Sequence, residues 1–239
     1  MSFLTAEWRK LAMANYVVEP SLLAPYVPFG TELDLWEGKC YVSLVGFMFL
    51  NTKLLGVSIP FHRTFQEVNL RFYVKRFDGN QYKRGVVFIK EIVPKPALTL
   101  VANVVYKENY ETLPMKHRWV VTSQLNEVTY QWKKNNFWNT FTVVANPVSQ
   151  PIPTGSETEF IAEHYWGYAY KNSTTAIEYE VTHPKWEHYP MKEYTIAVDF
   201  KKVYGPQFAF LSTLKPTSVF LAEGSPITVE NKQVIKASN

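Results

Sequence analysis

The residues best suited to chemistry lie in segment 65–74, which reads Phe-Gln-Glu-Val-Asn-Leu-Arg-Phe-Tyr-Val. Its β-branched and aromatic composition predicts a strand, and alternation along a strand puts Glu67, Asn69 and Arg71 on one face. That face is either the solvent side of an amphipathic strand or the lining of an enclosed space. Burying an acid, an amide and a guanidinium without partners is costly, so in an enclosed space they need each other or a ligand.

Two features of this strand favour the enclosed alternative. The opposite face, formed by Val68, Leu70 and Phe72, is entirely apolar and can pack under another element. Glu67 and Arg71 are four residues apart, which is about 13 Å along a strand. A link between them therefore requires neighbouring residues or a ligand.

The second half of the chain offers two weaker groups of candidates. His183 precedes a proline and is therefore extended, and Trp186, three residues later, can form the wall of a pocket. The alternative is a histidine that is satisfied at a strand end. Glu163 and Tyr165 lie in a Glu-His-Tyr triplet that supplies another acid and a phenol.

Several function classes are disfavoured by the sequence. It contains no phosphate-binding glycine loop, dinucleotide fingerprint, nucleophile elbow or zinc-protease motif, so we expect no cofactor. With one cysteine and five histidines at no recognised ligand spacing, we also expect no metal site. The net charge of +4 is dispersed, which argues against a nucleic-acid partner.

Membrane insertion and secretion are disfavoured as well. The N-terminus has no apolar core of a signal peptide, and the longest apolar stretch, 42–50, is too short to span a bilayer. We therefore expect a cytoplasmic protein with no membrane partner. The sequence leaves open whether the protein forms a homo-oligomer.

Strand patterns dominate the chain. Helices are predicted over 5–14, 20–26 and 206–212, and a capping box that begins at Ser156 predicts a further helix over 160–168. Segment 98–106 fits either helix or strand. Strands are predicted over 39–50, 65–76, 84–93, 117–124, 127–134, 137–145, 176–182, 194–203 and 218–221. The only linker-like stretch, 146–155, has three prolines that should bar sheet pairing, but it is too short to establish a boundary. The pattern predicts one α+β domain over 1–239, built mainly on an antiparallel sheet that is closed or strongly curved.

Short motifs along nearly the whole chain resemble the YqjF-like family of bacterial proteins of unknown function. They are Trp8-x-x-Leu11, Tyr16-Val17-Val18-x-Pro20, Leu23-x-x-Tyr26-x-Pro28-x-Gly30-x-x-Leu33-Asp34, Tyr41-Val42-Ser43-Leu44-Val45-x-Phe47, Glu67-x-Asn69-x-Arg71-x-Tyr73-Val74, 102–110, Phe160-x-x-Glu163-x-Tyr165, Val181-x-His183-Pro184-x-Trp186 and Ser218-Val219-x-Leu221-Ala222-x-Gly224. Each motif is weak alone, and their order and spacing carry the resemblance.

That family is similar in fold to acetoacetate decarboxylase. The resemblance implies a cone-shaped antiparallel β-barrel with short flanking helices and an internal polar cavity lined by Glu67 and Arg71. Acetoacetate decarboxylase forms an imine with its β-keto acid through a lysine whose pKa a second, adjacent lysine lowers. At the matching place this chain has Tyr110 and Glu111, and Lys107 lies three residues early without a lysine neighbour. The resemblance therefore argues against Schiff-base decarboxylation.

Three hypotheses follow for the function. In the first, the barrel binds a small carboxylate-bearing anion on Arg71, and Glu67, Asn69, Tyr106 and Tyr110 orient the rest of the molecule. The wider set of ligand-binding candidates adds Glu163, Tyr165, His183 and Trp186. In the second, a lysine-independent lyase, isomerase or hydrolase acts on an oxo-acid-like substrate, with Glu67 or Glu163 as base and Tyr110 or His183 as acid. In the third, the polar residues only satisfy one another in an interaction protein.

Overall fold

The computed structural model of the chain describes residues 2–237, which form two β-sheets and a few short helices. The strands of both sheets, in chain order, are β1 Leu4–Val18, β2 Glu32–Leu33, β3 Cys40–Leu54, β4 Phe65–Phe77, β5 Tyr82–Val93, β6 Tyr110–Thr112, β7 Met115–Val121, β8 Asn126–Lys134, β9 Phe137–Ala145, β10 Gln150–Pro151, β11 Trp166–Asn172, β12 Thr175–Thr182, β13 Glu187–Tyr189, β14 Met191–Ala197, β15 Ser218–Val229 and β16 Gln233–Lys236. Twelve strands form the larger sheet, and β14, β9, β8 and β7 form the smaller one in that order. Antiparallel pairing dominates, as the sequence predicts.

The helices are short and lie in the connections between strands. They are α1 Pro20–Leu23, α2 Pro96–Val101, α3 Glu157–Ala162 and α4 Phe200–Tyr204. A 3-10 turn extends α1 over Ala24–Tyr26, a π-helical turn extends α2 over Ala102–Tyr106, and a 3-10 segment at Pro206–Ser212 follows α4. In the part of the chain that the structure describes, no helix has the length and apolar character needed to cross a membrane.

Hydrogen-bonded pairing in the larger sheet follows a closed path. Starting at β15, the path runs through β1, β3, β4, β5, β11 and β12, and β12 pairs with β15 again. Two of these junctions are short. The junction of β5 with β11 is parallel and pairs two residues, and the junction of β12 with β15 also pairs two. We refer to these seven strands as the strand circuit.

The main hydrophobic core lies where the smaller sheet covers β1, β3 and β4. The apolar side of β4, which includes Leu70 and Phe72, packs in one cluster with Trp132 and Phe141 of the smaller sheet. At Gly46 the two sheets approach so closely that an added Cβ would lie 2.6 Å from Cδ2 of Tyr130. This packing leaves the opposite, polar face of β4 directed away from the smaller sheet.

The predicted helix over 5–14 is wrong, because this segment belongs to β1. Its apolar residues mimic helical spacing, but the strand pairs on both sides, with β3 and β15, and nine of its fifteen residues are buried. Lys10 has a positive φ of 54°, and the register with β3 shifts between Arg9 and Ala12. The bulge resets which side chains share a face, so the simple alternation expected of a strand is lost.

Three other predicted segments differ in part from the structure. The helix over 160–168 ends at Ala162, and β11 begins at Trp166. The strand over 194–203 ends at Ala197, after which the Asp199 side chain caps α4 by accepting a hydrogen bond from the Lys202 backbone N–H. Within 146–155, Gln150–Pro151 does pair, with β13, because a proline is tolerated on an edge strand. Segment 98–106 is helical.

Candidate functional site

A pocket of about 230 Å³ is lined by residues from every strand of the strand circuit. At one end the lining is completed by α2 and the π-helical turn that follows it. Most of the lining is apolar, with aromatic rings from β1, β3, β4 and β5. Polar groups are concentrated on β4 and on the segments beside it.

Glu67, Asn69 and Arg71 all line this pocket and are almost completely buried. The alternation of β4 turns them into the pocket, while the apolar residues between them pack toward the smaller sheet. Glu67 accepts a hydrogen bond from Asn69 Nδ2 at 2.9 Å and from the Tyr110 hydroxyl at 3.0 Å. The acid therefore has donors of its own and does not depend on the arginine.

Arg71 is buried without a carboxylate partner. Among the described residues, no carboxylate oxygen lies within 4.0 Å of its guanidinium, and its Nε has no hydrogen-bond partner. Its nearest polar contacts are weak: Nη2 lies 3.8 Å from the Met13 sulfur, and the guanidinium carbon lies 5.7 Å from the centre of the Tyr73 ring. A permanent cation in this setting is poorly compensated by the protein itself.

Two further acids, Glu91 and Glu108, join Glu67 on the pocket wall. Glu91 lies opposite Asn69 in the pairing of β4 with β5, and its Oε2 has no partner. Glu108 follows the π-helical turn and accepts a 2.7 Å hydrogen bond from the Tyr179 hydroxyl. We refer to Glu67, Glu91 and Glu108 as the acid cluster.

Burial raises the pKa of every member of the acid cluster. The pKa of Glu67 rises to about 7 and that of Glu108 to about 8. The pKa of Glu91 is raised well above its ordinary value, first by burial and then by the charges of Glu108 and Glu67. Near neutral pH the cluster therefore carries less negative charge than three ordinary glutamates, and its protonated members can donate hydrogen bonds.

His164 is a further pocket residue whose role the sequence did not reveal. Its Nε2 lies 3.2 Å from Asp34 Oδ2, and Arg84 Nε donates to the same oxygen at 2.6 Å. Burial lowers the pKa of His164 to about 4, so the ring is neutral at pH 7. A neutral ring that donates from Nε2 to Asp34 leaves an unprotonated Nδ1, and this buried atom has no partner.

Unsatisfied polar atoms are concentrated around this pocket. The described residues contain ten buried side-chain polar atoms without a hydrogen-bond partner, and six of them belong to pocket-lining residues. The six are Trp8 Nε1, Thr52 Oγ1, Asn69 Oδ1, Arg71 Nε, Glu91 Oε2 and His164 Nδ1. Buried polar groups normally have partners, so this concentration is typical of a site that receives them from a ligand or from water.

The other predicted site residues divide into two groups. Four of them line the pocket, namely Tyr106, Tyr110, His183 and Trp186. The rings of His183 and Trp186 stack with their centres 4.2 Å apart. Burial lowers the pKa of His183, and its Nδ1 lies 2.9 Å from the Pro184 carbonyl oxygen.

Glu163 and Tyr165 are not among the residues that line the pocket. The Tyr165 hydroxyl donates to Glu163, and Glu163 lies on a separate open depression beside Asp34 and Arg84. Because α3 ends at Ala162, neither residue is on the helix that was expected to present them.

No lysine is present among the described residues that line the pocket. Lys107 is exposed, in a left-handed conformation with φ of 61°. Glu111, at one of the positions matched to the lysine pair, instead accepts from Lys90 at 3.0 Å and from Lys134. The imine-forming arrangement of acetoacetate decarboxylase therefore has no counterpart in this lining.

Comparison with known proteins gives the family. Residues 5–226 match the model of the DUF2071 family, described as uncharacterized conserved protein. The chain belongs to this family. Among curated proteins it is similar to the uncharacterized protein YqjF of Bacillus subtilis (strain 168), at 28% identity over 181 residues, covering 74% of this chain and 70% of that protein.

Solved structures identify the fold. An acetoacetate decarboxylase from Legionella pneumophila aligns with a TM-score of 0.65 at 11% identity, over 97% of this chain and 86% of that one. The enduracididine biosynthesis enzyme MppR, complexed with the condensation product of pyruvate and imidazole 4-carboxaldehyde, aligns with a TM-score of 0.66 at 11% identity. The alignment covers 99% of this chain and 90% of that one. An acetoacetate decarboxylase-like enzyme from Sphingomonas wittichii RW1 aligns with a TM-score of 0.65 at 8% identity, over 100% of this chain and 95% of that one. At these identities the likeness establishes an acetoacetate decarboxylase-like fold and does not extend to activity.

Proposed function

We propose that this protein binds a small carboxylate-bearing molecule in the pocket and that Arg71 holds the carboxylate. The observation that carries the proposal is the buried Arg71 guanidinium, which lines the pocket and has no carboxylate partner among the described residues. A guanidinium offers two parallel N–H donors to a carboxylate, and this pairing is strong when water is excluded. A bound anion would compensate a charge that the protein leaves uncompensated.

The pocket is, in this proposal, the internal cavity of a cone-shaped β-barrel formed by the strand circuit. The closed pairing path supports this interpretation, as do lining residues from all seven strands. Structural neighbours support the ligand class, because MppR has also been solved in complex with pyruvate, a small oxo acid. Lysine-dependent decarboxylation is not part of the proposal, since no lysine lies among the described lining residues.

A second candidate function is a lysine-independent reaction on the same class of molecule. The observation that favours it is the 3.0 Å hydrogen bond from the Tyr110 hydroxyl to Glu67, an acid whose pKa of about 7 suits a general base. Glu67 would remove a proton beside the carbonyl group of an oxo acid held on Arg71, and Tyr110 would return it. Glu163 has no part in this version because it is not a lining residue, whereas His183 keeps its place as an alternative acid.

Titration calorimetry with butanoate, 2-oxobutanoate and acetoacetate tests the binding proposal. Arg71→Gln should weaken each ligand at least thirtyfold, because truncating one partner of a buried charge pair costs about 2–5 kcal/mol. Arg71→Lys should bind with intermediate affinity, since the charge remains while the paired N–H geometry is lost. Arg118→Gln is the matched control, because this arginine is exposed and, within the described part of the chain, forms an ion pair with Glu127 alone.

The outcomes separate the two candidates. Equal affinity in wild type and Arg71→Gln would reject the binding proposal. Turnover of an oxo acid that Glu67→Gln abolishes, and that borohydride does not inhibit, would establish the enzymatic version. Inactivation by borohydride in the presence of an oxo acid would contradict both versions, since it requires an imine-forming lysine.

A further inference from the structure

The pocket has an apolar part that a small hydrophilic acid would leave unfilled. Trp8, Phe47, Phe49 and Phe65 form a continuous aromatic wall on its lining. The Trp8 ring centre lies 5.3 Å from that of Phe47 and 5.9 Å from that of Phe49, and Phe49 stacks on Phe65 at 4.7 Å. Burying apolar ligand surface against such a wall is favourable in proportion to the area covered.

Polar and apolar groups are ordered along β4. Phe65 begins the strand, Glu67 and Asn69 follow, and Arg71 lies six residues from Phe65, which is about 20 Å along a strand. In the antiparallel pairing with β5, Val68 lies opposite Ile92, so the end of β5 and the helix α2 that follows it lie beside the start of β4. The arginine and the aromatic wall therefore occupy different depths of one pocket.

The apolar end of the pocket reaches the protein surface. Ile59, in the loop before β4, and Val101, at the end of α2, both line the pocket and are exposed. In the same loop as Ile59, Val57 and Phe61 are more exposed still, and Phe61 is 89% exposed. We refer to residues 55–64 together with Val101 as the mouth. An exposed apolar patch of this kind beside a pocket is typical of a binding surface.

We infer that the ligand is an amphiphilic carboxylate that enters with its polar end first. Its carboxylate would lie on Arg71, its middle would pass Glu67 and Asn69, and its apolar chain would run along the aromatic wall and leave through the mouth. This inference rests on the proposed function, because it takes Arg71 as the carboxylate anchor, and it adds the chemical class of the rest of the molecule. A short hydrophilic oxo acid would fill only the deep end.

A chain-length series tests the inference. The probes are butanoate, hexanoate, octanoate and decanoate, each used below its micelle concentration, with the dissociation constant measured by titration calorimetry. The dissociation constant should fall about threefold to fourfold for each added methylene that reaches the aromatic wall. Arg71→Gln should weaken every member of the series, because all of them share the carboxylate contact.

A pair of surface variants on α2 locates the chain. Val101→Glu places a charge on the lining at the mouth. It should raise the dissociation constant of decanoate at least tenfold and leave that of butanoate within twofold of the wild-type value. Leu100→Glu is the matched control, because Leu100 is the adjacent residue, is 64% exposed and does not line the pocket. Leu100→Glu should leave the dissociation constants of both ligands within twofold of the wild-type values. Both side chains are exposed, so neither variant is expected to unfold the protein.

The possible results distinguish this inference from the proposed function. If affinity does not increase from butanoate to decanoate while Arg71→Gln still weakens binding, the inference of an amphiphilic ligand is wrong, but the proposed carboxylate site on Arg71 is supported. If Arg71→Gln weakens the binding of butanoate but not that of decanoate, or if Val101→Glu and Leu100→Glu act alike, the chain binds elsewhere and the inference is wrong. If no carboxylate of any length depends on Arg71, the proposed function itself fails.

Discussion

Arg71 is the residue on which the functional account depends. It carries the only permanent charge among the described residues that line the pocket, where the pKa values of the three acids are raised. Glu67, the acid that shares its strand face, is already satisfied by Asn69 and Tyr110. The arginine is thus available to an anion, and the partly protonated acid cluster reduces the repulsion that this anion would meet.

The raised pKa of Glu67 predicts a pH-dependent stability. Between its ordinary pKa of 4.5 and its folded value of about 7, the folded protein keeps a proton that the unfolded chain has released. The contribution of this group to the free energy of unfolding is therefore present at low pH and is lost as pH rises toward 7. Glu67→Gln removes that titration. Its stability relative to wild type should increase by on the order of 3 kcal/mol between pH 4.5 and pH 8.

Urea unfolding at several pH values measures this difference. Glu19→Gln serves as the control, because Glu19 is exposed and its side chain makes no capping hydrogen bond to α1. The control should differ from wild type by a constant amount at every pH. A Glu67→Gln difference that is equally constant would contradict the buried, proton-holding state of this acid.

At the residue scale, the sequence predicted the polar face of β4 but not the other two members of the acid cluster. Alternation within one strand is a local property, so Glu67, Asn69 and Arg71 could be placed together without knowledge of the fold. Glu91 and Glu108 reach the same pocket only because β5 pairs with β4 and because the π-helical turn brings the chain back. Such long-range placement has no short-range signal, although Glu91 was an isolated acid at the end of an apolar predicted strand.

At the scale of elements, β1 shows where local periodicity misleads. Helical spacing of Trp8 and Leu11 suggested a helix, yet pairing with both β3 and β15 makes the segment a central strand. Pairing on both sides satisfies its backbone groups, and burial outweighs intrinsic preference. The bulge at Lys10 then disguises the strand pattern.

The contact between the two sheets makes an element-scale prediction at Gly46. A Cβ there would lie 2.6 Å from the Tyr130 ring, so Gly46→Ala should lower the free energy of unfolding by about 1–3 kcal/mol. The loss arises because β3 and β8 must separate to admit the methyl group.

A double-mutant cycle with Tyr130→Ala identifies the cause of that loss. Because Tyr130→Ala removes Cγ and Cδ2, the cost of Gly46→Ala should be smaller in the Tyr130→Ala background. The same cost in both backgrounds would show that the substitution acts on the strand itself and not on the packing between sheets.

At the scale of the whole molecule, one arrangement produces both the stable core and the pocket. The smaller sheet covers the apolar side of β4, and this forces its polar side toward the space bounded by the strand circuit. The family likeness covers nearly the whole chain, and the fold is shared with enzymes that bind oxo acids. Among its described residues, this lining carries Arg71 and the acid cluster and no lysine.

A crystal structure of the protein soaked with 2-oxooctanoate tests the central claim most directly. We expect the carboxylate oxygens within about 3 Å of the Arg71 guanidinium and the chain against Phe49 and Phe65. Arg71→Gln crystals soaked in the same way should contain no ligand in the pocket. Ligand density that avoids Arg71, or a pocket that stays free of carboxylate at saturating concentration in solution and in the crystal, would contradict the account.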